Sequence, residues 1–347
     1  MRLLIVKLSS MGDVVHALPA LSDAARARPG LRVDWLVEPG FAAIPARHPA
    51  VDRVIPIALR QWRKRPLDRE TWAQLRASHA SLRARPYDLI LDAQGLYKSA
   101  LLARLGQGPV AGLSRSAARE PLASLAYQRR IDVPRPLHAV ERLRRLFAEA
   151  LGYPLPTLPA DYGLASRVQV DPRLLVFLHG TTWASKHYPE SAWRALIDLA
   201  EAQGYRVALP WGNTLEKARA DRLAQASHRA HVLPALTLDG LMDVLSAAAG
   251  VITVDSGLGH LACALGRPVI GIYGATDSAR TGLNGGSSHN LRADLACSPC
   301  MKRDCPRLPA TGTEDPPCYA TIHPERTWLQ LQVLMDRTAP RQDGSAT

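Results

Sequence analysis

The sequence predicts an α/β protein with two units, each built on a doubly wound parallel sheet. Short apolar runs alternate with helical segments along most of the chain, as they do in such sheets. The alternation stops at Gly152–Pro159, where three prolines in eight residues indicate an extended linker, and then restarts. A chain of 347 residues is long for one core and sufficient for two units of about 150 residues each.

The predicted units cover residues 1–158 and 159–347. In the first, strands are predicted at Arg2–Leu8, Arg32–Glu38, Arg53–Ile57, Tyr87–Leu91 and Pro109–Leu113, and helices at Val14–Arg28 and His138–Leu151. In the second, strands are predicted at Leu174–His179, Tyr205–Leu209, Gly250–Val254 and Val269–Tyr273, and helices at Glu190–Ala202, Leu238–Ala249 and Leu258–Leu265. Open α/β sheets bind ligands at the carboxyl ends of their strands, so the turns that follow the strands are the candidate sites.

The composition favours an anionic partner. Lys and Arg outnumber Asp and Glu by 43 to 31, and the net charge of +12 suits nucleic acid, an acidic membrane surface or a phosphorylated substrate. Nucleic acid is disfavoured, because aromatic residues make up only 5% and no nucleic-acid motif appears. No apolar run approaches the roughly 18 residues of a membrane-spanning helix, and Met1–Lys7 is too short for a signal peptide's apolar core. We therefore expect a cytoplasmic protein.

The most informative turn follows the strand that ends at Val254. Its sequence, Asp255-Ser256-Gly257-Leu258-Gly259-His260, opens a helix of small residues. The two glycines let backbone amides approach a ligand, and the amino end of the helix attracts an anion. The spacing differs from the G-x-G-x-x-G of dinucleotide sites, so a dinucleotide site does not follow from it. The turn predicts a site for a phosphate-bearing donor. The alternative is an ordinary turn in which an Asp caps the helix.

Two other turns of the second unit have a similar character. Thr181, Thr182 and Lys186 lie between a strand and a helix, where hydroxyls and an ammonium suit a phosphate. Glu216 follows Pro210-Trp211-Gly212 and is a candidate acceptor of hydrogen bonds from ribose hydroxyls. A first-turn Glu that stabilises its own helix is the alternative interpretation.

In the first unit, the residues after the first strand are candidates for catalysis. Ser9, Ser10 and Gly12 suit a tight turn at a helix start, and Asp13 lies at the carboxyl end of the strand. A carboxylate placed there can act as a general base on a substrate hydroxyl. A helix-capping Asp is the alternative.

Basic residues accumulate in the turns of the same unit. Four cations fall within Arg60-Gln61-Trp62-Arg63-Lys64-Arg65, and Lys98 follows the turn Asp92-Ala93-Gln94-Gly95. Arg115, Arg119, Arg129 and Arg130 come later, in a stretch with few acidic residues. If these turns share one edge of the sheet, their cations converge on an anionic substrate. A solvated basic surface is the alternative.

Taken together, these turns resemble those of a known family. The matching segments are Lys7-x-Ser9-Ser10-x-Gly12-Asp13-Val14, Thr181-Thr182-x3-Lys186-His187, Pro210-Trp211-Gly212, Asp255-Ser256-Gly257-x-Gly259-His260 and Tyr273-Gly274-x-Thr276-Asp277. In order and spacing they are similar to the lipopolysaccharide heptosyltransferases of glycosyltransferase family 9, over about residues 1 to 290. The segments that resemble the type I pattern are Glu38-x-Gly40-Phe41, Arg63-Lys64, Asp92-Ala93-Gln94-Gly95-Leu96 and Ala118–Ser124.

The resemblance implies a GT-B fold, in which two Rossmann-like domains face a central cleft. The first domain would bind the acceptor and the second the ADP-sugar donor. The implied reaction is an inverting transfer of L-glycero-D-manno-heptose from ADP-heptose to a 3-deoxy-D-manno-octulosonate (Kdo) residue of Kdo2-lipid A. The enzyme would need no cofactor or metal and would lie on the inner face of the inner membrane. A C-terminal helix over about residues 323–337 is expected to pack back on the first domain.

The resemblance also assigns roles to residues. Asp13 is the implied base, and Lys186 is implied to assist the departure of ADP. The implied donor-binding residues are Thr181, Thr182, Lys186, Glu216, Asp255, Ser256, Gly257, Gly259 and His260. The implied acceptor-binding residues are Ser10, Gly12, Arg60, Arg63, Lys64, Lys98 and Arg119.

One segment departs from the type I pattern. Cys297-x2-Cys300-x4-Cys305-x12-Cys318 resembles a cysteine pattern of heptosyltransferase II and related family-9 enzymes. These four cysteines are candidates for a structural zinc site or for free, redox-active thiols, and the cytoplasm disfavours disulfides. Cys263 lies in an apolar helix and is predicted to be a core residue.

The sequence has three alternative functional interpretations. Heptosyltransferase II or another family-9 transferase would use the same donor, so only an acceptor assay separates it from type I. A non-catalytic nucleotide- or polyanion-binding protein would have no need of the carboxylate of Asp13 among so many cations. A sugar-nucleotide epimerase of the same fold would need further acid and base residues around the sugar, and the sequence offers no convincing set.

Overall fold

The computed structural model describes residues 1–225, 227–308 and 315–338, and the structural statements below concern these residues. The chain separates into two compact units between Ala165 and Ser166. Each unit contains one six-stranded sheet in which all neighbouring strands run parallel. The predicted α/β class, with one parallel sheet in each unit, is confirmed.

The first unit has the strand order β3-β2-β1-β4-β5-β6. Its strands are β1 (Arg2–Val6), β2 (Arg32–Val37), β3 (Val51–Pro56), β4 (Leu89–Asp92), β5 (Val110–Leu113) and β6 (Arg129–Ile131). Its helices are α1 (Met11–Ala27), α2 (Ala43–Ala46), α3 (Leu59–Lys64), α4 (Arg69–Arg83), α5 (Tyr97–Ala103) and α6 (Ala139–Leu151), with 3-10 turns at Pro39–Phe41 and Pro121–Ala126.

The second unit has the strand order β12-β11-β10-β7-β8-β9. Its strands are β7 (Asp171–Leu178), β8 (Arg206–Leu209), β9 (Ala230–Val232), β10 (Ala248–Val254), β11 (Val269–Tyr273) and β12 (Ser288–Arg292). Its helices are α7 (Glu190–Ala202), α8 (Thr214–Ala224), α9 (Leu238–Ala247), α10 (Gly257–Ala264), α11 (Ser278–Thr281) and α12 (Pro324–Thr338), with 3-10 turns at Ala184–Lys186 and Pro317–Thr321.

The central strands are buried on both faces, which explains their continuous apolar sequence. In β1, Leu3 to Val6 have no solvent exposure, and Leu3 lies between Val33 of β2 and Leu89 of β4. Because side chains alternate between the faces of a strand, such a run requires helices on both sides of the sheet. Parallel pairing also brings the carboxyl ends of all six strands to one edge, where the polar turns lie.

Three short edge strands, β6, β9 and β12, were not predicted from the sequence. Strand β6 is only Arg129–Ile131, and β12 has the largely polar sequence Ser288–Arg292. An edge strand has a neighbour on one side only and is partly exposed, so its sequence lacks the apolar run that identifies a central strand.

The first unit extends seven residues beyond the predicted boundary at residue 158. Asp161 forms an ion pair with Arg26 of α1, 2.9 Å between oxygen and nitrogen. Gly163 has a φ of +63°, and a Cβ there would lie 2.4 Å from His48 Nε2. The residues after the proline-rich segment are therefore fixed to the first unit by close contacts.

The C-terminal helix α12 packs in the second unit. Its side chains Trp328, Leu331 and Leu334 belong to the core formed by β7, β10 and α7. The Tyr188 hydroxyl donates to the carbonyl of Ile322, just before the helix, at 2.6 Å. The apolar face of α12 is thus buried in the second unit, and packing of this helix on the first unit stays a prediction. None of the helices in the described ranges is long and apolar enough to span a membrane.

Candidate active site

Asp13 lies in the first turn of α1, next to the carboxyl end of β1, and its side chain is 42% exposed. The backbone N–H and the hydroxyl of Ser10 both donate to its Oδ2, each at 2.9 Å. Its other oxygen, Oδ1, lies 3.7 Å from Lys7 Nζ. Ser10 is exposed and Gly12 is buried in the same turn. Because Ser10 occupies Oδ2, Oδ1 is the oxygen placed to take a proton.

The surroundings of Asp13 act on its pKa in opposite directions. Desolvation raises the pKa, whereas the Lys7 ammonium, the hydrogen bonds from Ser10 and the Arg119 guanidinium lower it, and the net shift is downward. A carboxylate with a lowered pKa is ionised at neutral pH, as a general base must be. The structure also brings Arg119, predicted separately from the sequence, within electrostatic reach of Asp13.

The turn that carries Asp13 is fixed by the turn after β4. Lys7 is only 5% exposed, and its ammonium donates to the carbonyl of Ala93 at 2.9 Å. The Gln94 side chain accepts from the backbone N–H of Leu8 and donates to the carbonyl of Ser9, both at 2.7 Å. The sequence predicts a polar turn here, after a strand, but no local pattern shows that Gln94 reaches β1.

Asp92, in the same turn, has a structural role. It is fully buried and accepts hydrogen bonds from the Tyr127 hydroxyl at 2.6 Å and the Ser99 hydroxyl at 2.8 Å. Burial raises the pKa of Asp92 against the lowering effect of these bonds. A Cβ on Gly112 would lie 2.5 Å from the Tyr127 ring, so the glycine gives the tyrosine room to reach Asp92. The network holds the β4 turn in place beneath the site.

Five predicted acceptor cations are exposed along the carboxyl edge of the first sheet: Arg60, Arg63, Lys64, Lys98 and Arg119. The first three lie on α3, whose Trp62 is buried and donates to Gln74 at 2.8 Å, so the helix is anchored with its basic residues in solvent. The charges of Arg60 and Lys98 both act on the carboxylate of Glu38. The turns that carry these cations therefore lie at one edge of the sheet, and acceptor binding by them stays a prediction.

Arg129 and Arg130 do not join this basic edge. The Arg129 guanidinium donates to the carbonyls of Glu149 and Ala150 at 2.6 and 3.0 Å. Cations placed there stabilise the last carbonyls of a helix, here those of α6. Arg130 donates to the carbonyl of Ser124 at 2.9 Å. The interpretation that both belong with the substrate-binding cations is wrong, since their guanidinium groups satisfy backbone carbonyls.

In the second unit, Lys186 and Asp255 form the centre of the predicted donor site. Lys186 Nζ lies 2.6 Å from Asp255 Oδ2, with side-chain exposures of 13% and 10%. The same oxygen accepts from the Thr276 hydroxyl at 2.6 Å, and the ammonium lies 4.4 Å from the centre of the Trp183 ring. Asp255 is thus placed to hold the Lys186 ammonium in position. A carboxylate repels a phosphate, so we expect Asp255 to act through the lysine and not by direct contact with the phosphate.

The amino end of α10 lies beside this ion pair. Ser256 is the N-cap residue and accepts from the backbone N–H of Gly259 at 3.2 Å. A Cβ on Gly259 would lie 2.6 Å from the Thr253 side chain, so only glycine lets the helix begin so close to β10. Gly257 is half-buried, and His260 Nε2 lies 3.9 Å from Asp255 Oδ1. The helix start is therefore rigid and directs its free amides to the strand edge.

The turns after β7 and β8 complete this edge. Thr181 donates to the carbonyl of Asp255 at 3.2 Å, and Thr182 is exposed. Glu216 Oε2 accepts from the backbone N–H of Gly212 at 2.7 Å, and a Cβ on Gly180 would lie 2.7 Å from the Glu216 carboxyl carbon. Glu216 therefore joins two strand-end turns, and it is the Asn213 side chain that caps α8.

The cysteine-containing segment supports the donor turns. Cys297, Cys300, Cys305 and Cys318 line one cavity of about 290 Å³, and all are free thiols. Ser185 donates to the carbonyls of Lys302 and Arg303 through its hydroxyl and N–H, at 2.6 and 3.0 Å. The N–H of Met301 donates to Ala275 at 2.8 Å. The segment therefore connects the Lys186 turn with the turn after β11.

The cysteines do not form a ligand set for zinc in this structure. Over the described ranges, no three His, Cys, Asp or Glu side chains are grouped as metal ligands. Burial first, and then the three neighbouring thiols, raise the pKa of Cys318 to about 11, so this thiol is protonated at neutral pH. Cys263 is 6% exposed in α10, which confirms its prediction as a core residue.

Two Rossmann-like units, with polar turns at the carboxyl edge of each sheet, are the architecture of GT-B glycosyltransferases. The chain belongs to glycosyltransferase family 9 (heptosyltransferase), whose family model matches residues 75–310. This confirms the family suspected from the sequence and that the chain is a glycosyltransferase.

The chain is similar to individual members of the family over nearly its whole length. It is 48% identical to lipopolysaccharide heptosyltransferase 1 of Pseudomonas aeruginosa, covering 96% of this chain and 98% of that protein. Of solved structures, it is similar to Escherichia coli heptosyltransferase WaaC with ADP, at 42% identity and a TM-score of 0.85 over 96% of this chain and 100% of that one. It is also similar to WaaC with ADP-2-deoxy-2-fluoro heptose, at 47% identity and a TM-score of 0.78 over 85% and 94% of the two chains.

Proposed function

We propose that the chain transfers L-glycero-D-manno-heptose from ADP-heptose to a Kdo residue of Kdo2-lipid A, with inversion at the anomeric carbon. The observation that carries the proposal is the 48% identity with a lipopolysaccharide heptosyltransferase 1 over 96% of the chain. The site is consistent with this reaction, because an ionised, half-exposed carboxylate lies among cations in one unit and a buried lysine lies beside a helix start in the other.

In the proposed reaction Asp13 is the general base. Its Oδ1 takes the proton of the acceptor hydroxyl as that oxygen attacks the anomeric carbon of the heptose. The bond from this carbon to the ADP oxygen breaks in the same step, and ADP leaves with the electron pair. Ser10 holds Oδ2 through two hydrogen bonds, so the carboxylate keeps one orientation while its other oxygen reacts.

The second unit would bind the donor diphosphate and stabilise the charge that develops as ADP leaves. The Lys186 ammonium supplies a positive charge, and the amides at the start of α10 supply hydrogen-bond donors. Thr181, Thr182, Ser256, Gly257, Gly259 and His260 are proposed to line the diphosphate, and Glu216 to accept from the ribose. Because these groups are fixed before the donor binds, little reorganisation is needed in the transition state.

The basic edge of the first unit would bind the acceptor at the membrane surface. Kdo carries carboxylates and lipid A carries phosphates, so Arg60, Arg63, Lys64, Lys98 and Arg119 face a polyanion. Basic side chains near an anionic membrane surface each contribute about 1 kcal/mol to its attraction. We therefore propose peripheral association with the cytoplasmic face of the inner membrane.

This edge leads to a prediction for the acceptor. Replacing Arg63 and Lys64 together with Ala should raise the KM for Kdo2-lipid A and flatten its dependence on salt, because two exposed charges are removed. The KM for ADP-heptose should hardly change. Steady-state kinetics between low and physiological salt would measure both.

The matched control replaces Arg83 and Arg85, two exposed cations before β4 at the opposite edge of the same sheet. This pair should leave the acceptor KM unchanged. If the Arg63/Lys64 variant loses donor affinity and keeps its acceptor kinetics, the assignment of the acceptor to the first unit is wrong.

The position of Lys7 leads to a prediction about pH. Asp13 has a lowered pKa in the folded protein, so activity is retained above that pKa and is lost as the pH falls through it. Removing the ammonium in Lys7→Met takes away a lowering effect, so the pKa rises and the acid limb of kcat/KM should move to higher pH. Lys7→Arg keeps the charge and should leave the limb close to that of the wild type. An acid limb at the same pH in all three proteins would show that Asp13 does not limit the rate.

The proposed activity is tested by incubating the protein with ADP-heptose and Kdo2-lipid A and measuring the mass of the lipid. The expected result is a gain of one heptose with release of ADP. The same donor with a heptosylated acceptor tests the alternative, heptosyltransferase II. ADP-heptose binding without transfer to either lipid would favour a non-catalytic binding protein.

A further inference from the structure

Glu38 is a buried carboxylate at the acceptor edge for which the proposed reaction gives no role. It directly follows β2, and its backbone N–H donates to the carbonyl of Leu8 at 3.1 Å. Leu8 belongs to the turn that carries Asp13, so the two carboxylates lie on adjacent strand ends. The residue Glu38 is 6% exposed, and in the described part of the chain its Oε1 has no hydrogen-bond partner.

Cations flank Glu38 within the same unit. Desolvation raises the pKa of its carboxyl, and the charges of Arg60 and Lys98, with the backbone N–H of Arg60, lower it; the net shift is upward. Arg60 follows β3 and Lys98 follows β4, on either side of the β2 and β1 ends. Glu38 is therefore a second carboxylate of this edge, besides Asp13, and it lies among the cations.

A buried oxygen without a partner destabilises the free protein, because water can no longer satisfy it. A ligand that donates to this oxygen removes that cost. The chemistry of Oε1 limits what the ligand group can be. A carboxylate oxygen accepts a hydrogen bond from a hydroxyl, whereas ionised phosphate and carboxylate groups have no proton to donate and are attracted by the neighbouring cations.

We propose that Glu38 Oε1 accepts a hydrogen bond from a hydroxyl of the acceptor sugar and thereby selects which face of that sugar enters the site. The hydroxyl-bearing face lies toward Glu38 and Asp13, and the anionic groups lie toward Arg60 and Lys98. Glu38 is thus a specificity-determining residue, distinct from the base. This inference rests on the proposed function, since it assigns one contact of the same acceptor.

The test uses Glu38→Gln, which keeps the size of the side chain and removes its charge. Hydrogen bonds to charged groups are roughly twice as strong as neutral ones, so the KM for Kdo2-lipid A should rise about 10- to 100-fold. The kcat at saturating acceptor and the KM for ADP-heptose should remain close to those of the wild type. Asp52→Asn is the matched control, because it removes a carboxylate at the opposite edge of the same sheet.

Acceptors that each lack one Kdo hydroxyl distinguish a direct contact with Glu38 from a purely structural role of this residue. For one of these deoxy acceptors, the KM of the wild type should rise by the same 10- to 100-fold relative to Kdo2-lipid A. The KM of Glu38→Gln should change little between that acceptor and Kdo2-lipid A. Equal losses in both proteins for every deoxy acceptor, or an unchanged acceptor KM in Glu38→Gln, would overturn the inference. If Glu38→Gln fails to fold, Glu38→Asp replaces it, because Asp keeps the carboxylate and is shorter by one methylene. The deoxy acceptors are then compared with Kdo2-lipid A in the wild type and in Glu38→Asp. A wild-type protein that transfers no heptose would overturn the proposed function itself.

Discussion

Replacing Asp13 with Asn should lower turnover by about 10²- to 10⁴-fold while ADP-heptose still binds. Asn has nearly the shape of Asp, and its carbonyl oxygen can still accept from Ser10, but it cannot take a proton from the acceptor. The loss should therefore appear in kcat. Single-turnover kinetics and calorimetry with ADP-heptose would measure the two quantities separately.

The control for this variant is Asp52→Asn, which removes one negative charge from the same unit far from the strand ends that carry the site. It should keep wild-type turnover. In Asp13→Asn, Lys7 loses the nearby negative charge and keeps its hydrogen bond to the carbonyl of Ala93. Thermal unfolding of both variants would show whether the turn stays folded. Near-normal turnover in Asp13→Asn would remove Asp13 from the mechanism.

Replacing Lys186 with Ala should weaken ADP binding by about 1.5–3 kcal/mol, the range for hydrogen bonds to charged groups. Turnover should fall as well, because the ammonium is expected to stabilise the charge of the departing ADP. The change also leaves Asp255 buried with Thr276 as its neighbour. Part of the loss will therefore appear as lower stability, and thermal unfolding should be measured alongside calorimetry with ADP.

Two further variants separate the charge of Lys186 from its packing. Lys186→Arg keeps a cation and should retain more ADP affinity than Lys186→Ala. Arg206→Ala removes a cation paired with Asp171 at the amino edge of the same sheet, away from the candidate site, and should leave ADP affinity unchanged. ADP affinity in Lys186→Ala equal to that of the wild type would show that the ammonium does not contact the diphosphate.

The sequence was sufficient to predict the central strands and the turns at their ends. Strands such as Val269–Tyr273 are buried on both faces, so their apolar runs are continuous and easily recognised. The polar turns stand out because each directly follows such a run. Parallel pairing then places them at one edge of each sheet, so the grouping of Asp13 with Arg119, and of Lys186 with Asp255, follows from the predicted topology.

The contacts within the site could not be predicted in the same way. Gln94 reaches Leu8 and Ser9 from another strand, and no local pattern reports a hydrogen bond between distant segments. Glu38 appeared only as part of a family motif, because its importance depends on burial and an unpaired oxygen. Arg129 was misassigned because the sequence shows its charge but not the backbone carbonyls to which its guanidinium donates.

The anomeric configuration of the transferred heptose tests the central claim most directly. If Asp13 deprotonates the acceptor and the hydroxyl displaces ADP in one step, the new glycosidic bond must have the configuration opposite to that of the donor. Nuclear magnetic resonance of the heptosylated product, compared with ADP-heptose, would determine it. The account predicts complete inversion. A product with the donor's configuration would require a covalent intermediate or attack on the same face as the departing ADP. Either would contradict the role proposed for Asp13.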